Sequence, residues 1–427
     1  MAEHHDVQHH DVIVVGAGPS GAAAAFWLAR SGWDVVLVEK KRFPRAKTCG
    51  DGLTPRAVRQ LEDMGALAGV ASAHRYGGMR AIGFGRTMEL AWPHHPSFPS
   101  IGYVVRRSEL DLAVAEAAVA AGASWRQGSS AAPLRDSRGT VTGVVATDVE
   151  QGGRTEILAR YVVVADGANS RFGRALGAER TRTWPLGMAL RGYWRSDRSG
   201  EPWIESQLEL RDQTGRLVPG YGWVFPLGDG RVNVGVGLLA SSDTWKGTNT
   251  SSLLEGFLAD AARRWQFDAA APEGEPTGGK LPMGLSVRPV QGSRHLLVGD
   301  AAGGINPFNG EGIAYGYETG RLAAWAVGEA LATGDSTALA EYPRRLDRLY
   351  GTYYRFGREF VRLIGHPKAL EVAVGTAMRS RSMMTWAVRL MANLMRPEDT
   401  GPAEGAFRSL AGLSDLLSRE GQGPPLA

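Results

Sequence analysis

The residues best suited to chemistry in this 427-residue chain fall into four groups. The first is Gly16-Ala17-Gly18-Pro19-Ser20-Gly21, with an acid, Glu39, about 20 positions further on, the spacing of a dinucleotide-binding turn. In such a turn Gly16 permits a tight reversal, Gly18 lets the backbone approach a pyrophosphate, and Gly21 lets a helix pack closely on a strand. The free N–H groups at the helix start then face the phosphates. Glu39, with Lys40 beside it as a further cofactor-binding residue, stands where a ribose would bind, and its charge disfavours a 2′-phosphate. The second group is Cys49-Gly50, reached through the basic stretch 40–47. The third is Tyr221, Trp223 and Phe225, followed by Pro226; alternation along a strand puts the three rings on one face. The fourth is a pair of aspartates that close apolar runs. Asp166 is followed by Gly167, and Asp300 by a loop carrying Gly303, Gly304, Pro307, Gly310, Gly312 and Ile313.

The elements that must position these groups are legible from periodicity. Residues 12–15 read as a strand buried on both faces, 22–30 as a helix, and 35–38 as a second buried strand. Helices are expected over 55–68 and 111–121, the latter capped by Ser108, with a less regular region up to 103. Strands are expected over 124–134 and 141–149 around a turn at 136–139, then over 154–158 and 161–165. Alternation at 189–194, 203–210, 222–225 and 232–237 predicts a mostly antiparallel sheet. A helix at 251–267 and a linker at 271–279 follow, and 295–300 returns to the first sheet ahead of a long helix at 310–331. Residues 338–364 and 367–395 are mostly helical.

The fold class is therefore α/β (α+β). A Rossmann-like dinucleotide-binding domain (10–185 and 285–335) carries an inserted, mostly antiparallel β-sheet catalytic domain (186–284). A C-terminal helical region (336–400) and flexible tails (1–9 and 401–427) complete it. An apolar fraction of 43% with 22% charged residues describes a soluble globular protein, and a formal charge of +4 is no nucleic-acid footprint. The single cysteine allows no intramolecular disulfide, and no metal site is expected. No secretory core and no uninterrupted apolar run of about 18 residues is present, which predicts a cytoplasmic protein.

Three separated segments bearing on one nucleotide exceed what a nicotinamide dehydrogenase needs. Asp300 can hold a ribityl hydroxyl, the glycines after it leave room for a flat ring, and a helix N-terminus can stabilise charge at the pyrimidine end. The cofactor expected is FAD. The chain resembles the flavoprotein hydroxylase superfamily typified by p-hydroxybenzoate hydroxylase. Arg107-x-x-Leu110-Asp111 resembles its arginine that reaches the FAD phosphates and adenine side. Asp166-Gly167-x-x-Ser170 resembles its Asp-Gly motif, with the following arginine at Arg174, one place late. The same alignment implies a backbone contact near the adenine from Ala131.

A narrower resemblance is to the geranylgeranyl reductase family, which includes menaquinone and digeranylgeranylglycerophospholipid reductases. It rests on Phe43-Pro44-Arg45-x-Lys47-x-Cys49-Gly50-Asp51-Gly52, on Pro219-x-Tyr221-x-Trp223-x-Phe225-Pro226, and on Gly279-x-Leu281-Pro282-x-Gly284. It implies reduction of isoprenoid C=C bonds in a polyprenyl lipid or quinone, with Cys49, Tyr221 and Trp223 at the reacting centre. Tyr221, Trp223, Phe225 and Pro226 would line an apolar tunnel for the prenyl chain. Cys49 would donate or relay a proton or gate flavin movement, and Arg45 and Lys47 would favour its thiolate if they lie close.

The alternative is an FAD-dependent monooxygenase or halogenase acting on an aromatic or polyketide substrate, since halogenases carry a similar Trp-x-Trp-x-Ile-Pro motif. Their catalytic lysine has no counterpart here, because no lysine occurs between Leu53 and Lys246. A third class is a non-catalytic flavin-binding protein, distinguishable by bound FAD without substrate-dependent reoxidation. No second dinucleotide motif is visible, so an external reductant, either NAD(P)H or a reductase or electron carrier, is expected. The Met- and Trp-rich stretch 375–396 with its arginine fringe fits either core packing or an interfacial helix in peripheral contact with the inner face of the cell membrane.

Overall fold

In a computed structural model, residues 7–70, 72–240, 248–395, 405 and 409 are described. The first sheet runs in the order Ser124–Arg126, Val35–Val38, Gln8–Val15, Arg154–Val164, Val141–Asp148, Ser129–Arg135, with His295–Leu297 pairing Arg154–Val164. Its central strands are parallel, with Val12 opposite both Val35 and Tyr161. Val12 to Val15 are all buried, as β-branched residues between two covering layers should be. One such layer is the helix pair Pro19–Arg30 and Ile313–Thr333. These two meet through small residues: a Cβ at Gly320 would lie 2.3 Å from the Ser20 carbonyl oxygen, and one at Gly316 2.8 Å from Ser20 Oγ. Backbones that close leave no room for larger side chains.

The second sheet runs Thr277–Pro282, Leu186–Arg195, Arg231–Leu239, Gly220–Pro226, Trp203–Gln207, Gly78–Gly83, Arg86–Ala91. Alternation divides its faces. Val224, Val232, Val234 and Val236 pack under the helix Thr250–Trp265, while Tyr221, Trp223, Phe225 and Asn233 occupy the other face.

Several boundaries differ from the expectation. The stretch 78–91 was expected as irregular chain within the first domain, yet it forms two strands of the second sheet, Gly78–Gly83 pairing in parallel with Trp203–Gln207. The single strand expected over 124–134 is two: Gly128 (φ +68°) breaks it, and the chain changes partner from Val35–Val38 to Val141–Asp148. Ser108 is not a cap, since the helix begins at Arg107 with Arg106 before it. Gln8 and His9, expected in a flexible tail, pair with Ile157 and Leu158. The expected tail 401–427 lies outside the described residues except at 405 and 409. The linker ends in the strand Thr277–Pro282.

The C-terminal helices Pro367–Ala377 and Arg381–Met391 settle the choice for most of the Met-rich stretch. Met378, Met384, Val388 and Leu394 are buried against Tyr76, Leu90 and Trp92, so that face is core. Val372 and Met383 stay exposed, as does Leu363 on the preceding helix Thr352–Ile364. No helix among the described residues is long and apolar enough to cross a membrane.

Candidate active site

The glycine turn and Glu39 form one unit. Gly16 takes φ +101°, and a Cβ there would lie 2.5 Å from the Ala165 carbonyl oxygen, so the turn is pressed against the end of Arg154–Val164, where Asp166 follows. Glu39 is buried and holds the turn from below: its Oε2 accepts from the Ala17 N–H and its Oε1 from the Lys41 N–H, each at 2.9 Å. The Ser129 N–H donates to the Glu39 carbonyl at 2.9 Å, which brings the strand bearing half-buried Ala131 alongside. Lys40 is exposed.

Arg107 heads its helix and donates Nε–H and Nη2–H to Asp111, both at 2.8 Å. Arg45 reaches the same carboxylate at 3.0 Å and lies over the turn, its Nη2 3.7 Å from where a Cβ on Gly18 would sit. Arg45 therefore faces the pyrophosphate position, a placement that the sequence offered only as a basic loop after the ribose acid.

The cation beside Cys49 is Arg107, whereas Arg45 pairs with Asp111 and the Lys47 charge acts on Asp300. Burial pushes the thiol up more strongly than Arg107 draws it down. The condition for the thiolate expectation, Arg45 and Lys47 lying close, is not met, and burial works toward the thiol form.

A buried polar lattice clamps the Cys49 loop to the second sheet. Arg191 donates to the carbonyls of Cys49 (3.0 Å) and Lys47 (3.2 Å). Asn233, fully buried, donates through Nδ2 to the Cys49 carbonyl (2.9 Å) and Asp51 Oδ2 (2.8 Å), and accepts from Trp223 Nε1–H at 3.0 Å. Tyr193 donates to Asp51 Oδ2 at 2.6 Å. Burial pushes the Asp51 carboxyl up against these stabilising donors. Gly50 and Gly52 lie flat on the rings: a Cβ at Gly50 would sit 3.2 Å from Phe225, and one at Gly52 2.9 Å from it. Only glycines allow that approach.

Tyr221, Trp223 and Phe225 stack along the sheet, with ring centroids 5.9 and 6.2 Å apart. Tyr221 donates to the Asn309 carbonyl at 2.6 Å, tying this face to the loop before the long helix, and burial pushes its hydroxyl up to about 12. In that loop Gly310 takes φ +77°, and a Cβ on it would stand 3.6 Å from the Tyr221 hydroxyl. Gly312 precedes the first helical residue, Ile313, and Pro307 packs against Gly357. Glu311, between the two glycines, accepts from Thr54 Oγ1–H at 2.5 Å through Oε1, while Oε2 is buried without a hydrogen-bond partner.

Asp166 accepts from the Phe172 N–H at 3.0 Å through Oδ2, and its Oδ1 is buried without a partner. Gly167 takes φ +82°, and Ser170 caps the turn that follows by accepting from Gly173 N–H at 2.9 Å. Arg174 lines a cleft of about 460 Å³ that ends at Ala301, next to Asp300. Burial pushes the Asp300 carboxyl up, with Lys47 and Arg107 opposing.

These residues fit FAD. The open space over Gly18 suits a pyrophosphate flanked by Arg45, the orphaned Asp166 Oδ1 suits a hydroxyl donor, and a Cβ on Gly312 would crowd Asp300 Oδ1 at 3.1 Å, so the glycine keeps that carboxyl clear. The structure brings Gly50, next to Cys49, the rings of Tyr221, Trp223 and Phe225, and the Asn309-Gly310 turn together as one site, with Pro226 at the end of the aromatic strand. Arg191, Tyr193, Asn233 and Glu311 were missed by sequence reasoning. Asn233 had a signal, a polar residue alternating with three buried valines.

Comparison with known proteins agrees with this geometry. The FAD binding domain family matches residues 9–193. The chain is 43% identical to the menaquinone reductase of Mycolicibacterium smegmatis over 95% of its own length and 96% of the relative's. It is 31% identical to digeranylgeranylglycerophospholipid reductase 1 of Methanopyrus kandleri, over 83% and 90% of the two chains. Among solved structures, a geranylgeranyl bacteriochlorophyll reductase-like protein from Thermoplasma acidophilum superposes with TM-score 0.76 at 23% identity, over 95% of this chain and all of that one. The flavin-dependent brominase Bmp2 superposes with TM-score 0.75 at 18% identity, over 96% and 100%. Likenesses of that order speak for the shared fold alone.

Proposed function

Because the chain belongs to the geranylgeranyl reductase family of FAD-dependent enzymes, we propose that its substrate is menaquinone, in whose polyprenyl tail it saturates a C=C bond. The observation that carries this reading is the 43% identity to a menaquinone reductase across nearly the whole of both chains. FAD, once reduced, supplies the hydride. The protein's part is to exclude water and hold the alkene against the ring. Tyr221, Trp223 and Phe225 offer an apolar face for a prenyl unit. The Cys49-Gly50 backbone, held by Arg191 and Asn233, packs against Trp223 and Phe225 and completes that wall. The test is anaerobic incubation of dithionite-reduced protein with menaquinone and, separately, with geranylgeranyl lipids, followed by mass spectrometry. A gain of two hydrogens by menaquinone is expected; oxygen-dependent modification of an aromatic compound instead would favour a monooxygenase or halogenase.

Within this reading Gly16 to Gly21, Glu39, Lys40, Cys49, Gly50, Arg107, Ala131, Asp166, Gly167, Asp300, Pro307, Gly310, Gly312 and Ile313 bind the cofactor. For Asp300→Ala, titration calorimetry should give FAD binding weaker by about 10–100-fold, the range for losing a hydrogen bond to a charged group. The electron donor is an external one, NAD(P)H or a carrier protein.

The enzyme works as a peripheral protein at the inner face of the cell membrane, where its lipid substrate resides. Exposed Leu363, Val372 and Met383 on three successive helices, near exposed Lys368, Arg379 and Arg381, support such contact. The protein should float with anionic vesicles, and the triple exchange Leu363→Glu, Val372→Glu, Met383→Glu should leave it at the bottom of the gradient. Wild type remaining there as well would sink the membrane contact.

A further inference from the structure

Saturating an isolated alkene consumes a proton as well as a hydride, so the site needs an acid. Four acidic side chains lie in or beside it, and three are poorly suited. The Tyr221 hydroxyl is held up to about 12 and already donates to Asn309. Cys49 is a thiol made less acidic by burial. Asp51 is wholly buried, its Oδ2 taken by Tyr193 and Asn233, whereas Glu311 is only partly buried.

We propose that Glu311 is the proton donor of the reduction, its carboxyl held by Thr54 between the Cys49–Thr54 segment and the loop that opens the helix Ile313–Thr333. The geometry is that of a poised acid. Thr54 engages only Oε1, and Oε2 is buried with no partner, the position a carboxyl proton would take. The backbone on either side is glycine, Gly310 abuts the Tyr221 hydroxyl, and the Glu311 charge is felt at that hydroxyl. The groups facing it are mixed. Burial pushes the carboxyl up to about 7 and the Glu318 charge adds to this, while the Thr54 hydrogen bond, the Arg56 charge and the nearby Asn309 amide oppose it. Tyr76, Tyr221 and Tyr315 adjoin as neutral phenols. A general acid works best with a pKa near the operating pH.

The step balances. FAD, bound and reduced, would supply two electrons and one hydrogen as hydride to one alkene carbon, opening the π bond toward its neighbour. The neighbouring carbon takes the Glu311 proton, leaving a carboxylate and a flavin oxidised by two electrons, and solvent returns the proton.

This inference rests on the reductase reading, and the experiment separates the two. Single-turnover reduction of menaquinone by dithionite-reduced holoenzyme is followed against pH in wild type, Glu311→Gln, Thr54→Val and Cys49→Ala. The oxidised holoenzymes are titrated in parallel by infrared difference spectroscopy, which needs no substrate. Wild type should lose rate as pH rises through about 7, in step with loss of a protonated-carboxyl band. Glu311→Gln should lose that band and about 100-fold or more in rate, with FAD content and melting temperature kept. Thr54→Val removes a bond to the ionised form, so both transitions should move to higher pH. That shift is one a merely structural contact would not produce. Retention of rate and pH fall in Glu311→Gln, or their disappearance in Cys49→Ala alone, would overturn the proposal in favour of Cys49. A wild type inert toward both lipid classes would refute the reductase reading instead. The infrared arm would still judge Glu311, and absence of its band at neutral pH would end the proposal.

Discussion

Gly21→Ala should yield protein that has lost more than nine-tenths of its FAD (about 10-fold per 1.4 kcal/mol) and much of its stability. The new methyl carbon would lie 1.8 Å from the Gly16 carbonyl oxygen and 3.0 Å from the Ala165 side chain. None of these is the far end of a flexible side chain, so the helix Pro19–Arg30 must lift off the sheet or the Gly16 turn must open. Overpacking of this kind costs about 1–3 kcal/mol, sometimes more. Either movement displaces the N–H groups that meet the phosphates. Gly18→Ala, three residues earlier, is the contrasting case. Its methyl would meet only Arg45 Nη2, at 3.7 Å, so the fold should be unaffected while the pyrophosphate loses its close approach. Flavin absorbance of the purified variants and their melting temperatures should therefore part company: both fall in Gly21→Ala, and only flavin content in Gly18→Ala. Equal melting losses would refute the division of labour between the two glycines.

Asn233→Asp should be nearly as damaging, although it changes no volume. Asn233 Nδ2 is the donor for two acceptors, the Cys49 carbonyl and Asp51 Oδ2, at 2.9 and 2.8 Å. A carboxylate there presents an acceptor to both and a like charge to Asp51. A buried group left without its partner costs about 1–3 kcal/mol, so a loss of about 2–4 kcal/mol is expected, with single-turnover rate falling as the Cys49 loop loosens. The effect carries a pH signature. The introduced carboxyl has its folded-state pKa raised by burial and by Asp51, so the deficit is full at high pH and shrinks as pH falls through that raised value and a donor is restored. Denaturant melts at pH 5 and pH 8 measure it; a deficit independent of pH would show that the lattice does not work as described.

These two cases mark what the sequence disclosed and what it could not. The glycine turn was legible because its signal is local: strand, turn, helix and Glu39 lie within one short segment, and each residue type follows from steric or electrostatic need. The aromatic face was legible for the same reason, since alternation alone put Tyr221, Trp223 and Phe225 together. What escaped depends on partners far along the chain. The strands at 78–91 contain few β-branched residues and expose Glu89 opposite Arg80, so they read as irregular; their place in the sheet comes from pairing with Trp203–Gln207. Gly128 splits one expected strand because Gln127 turns aside to accept from the Phe43 N–H at 2.7 Å. Glu311 looked like one more loop acid until Thr54, some 250 residues earlier (257 positions), was found bonded to it. Arg107 is legible through its motif, but its place beside Cys49 is not, because Arg45 and Lys47, the charges nearest to Cys49 in sequence, are drawn to Asp111 and Asp300 instead.

The close crossing of Pro19–Arg30 with Ile313–Thr333 also bears on how the chain acquires its cofactor during synthesis. The helix that closes the nucleotide cradle, and Asp300 just before it, are made nearly 300 residues after the cradle's first half. At about 5–20 residues per second the wait is some tens of seconds. Throughout it the alanine- and glycine-rich face of the early helix has no permanent cover, and the second sheet must form in between without capturing it. Its small side chains suit that interval, since they offer little surface to wrong partners while keeping the groove that the late helix will enter. The cradle for FAD is therefore complete only once Asp300 and the helix Ile313–Thr333 have joined the early turn.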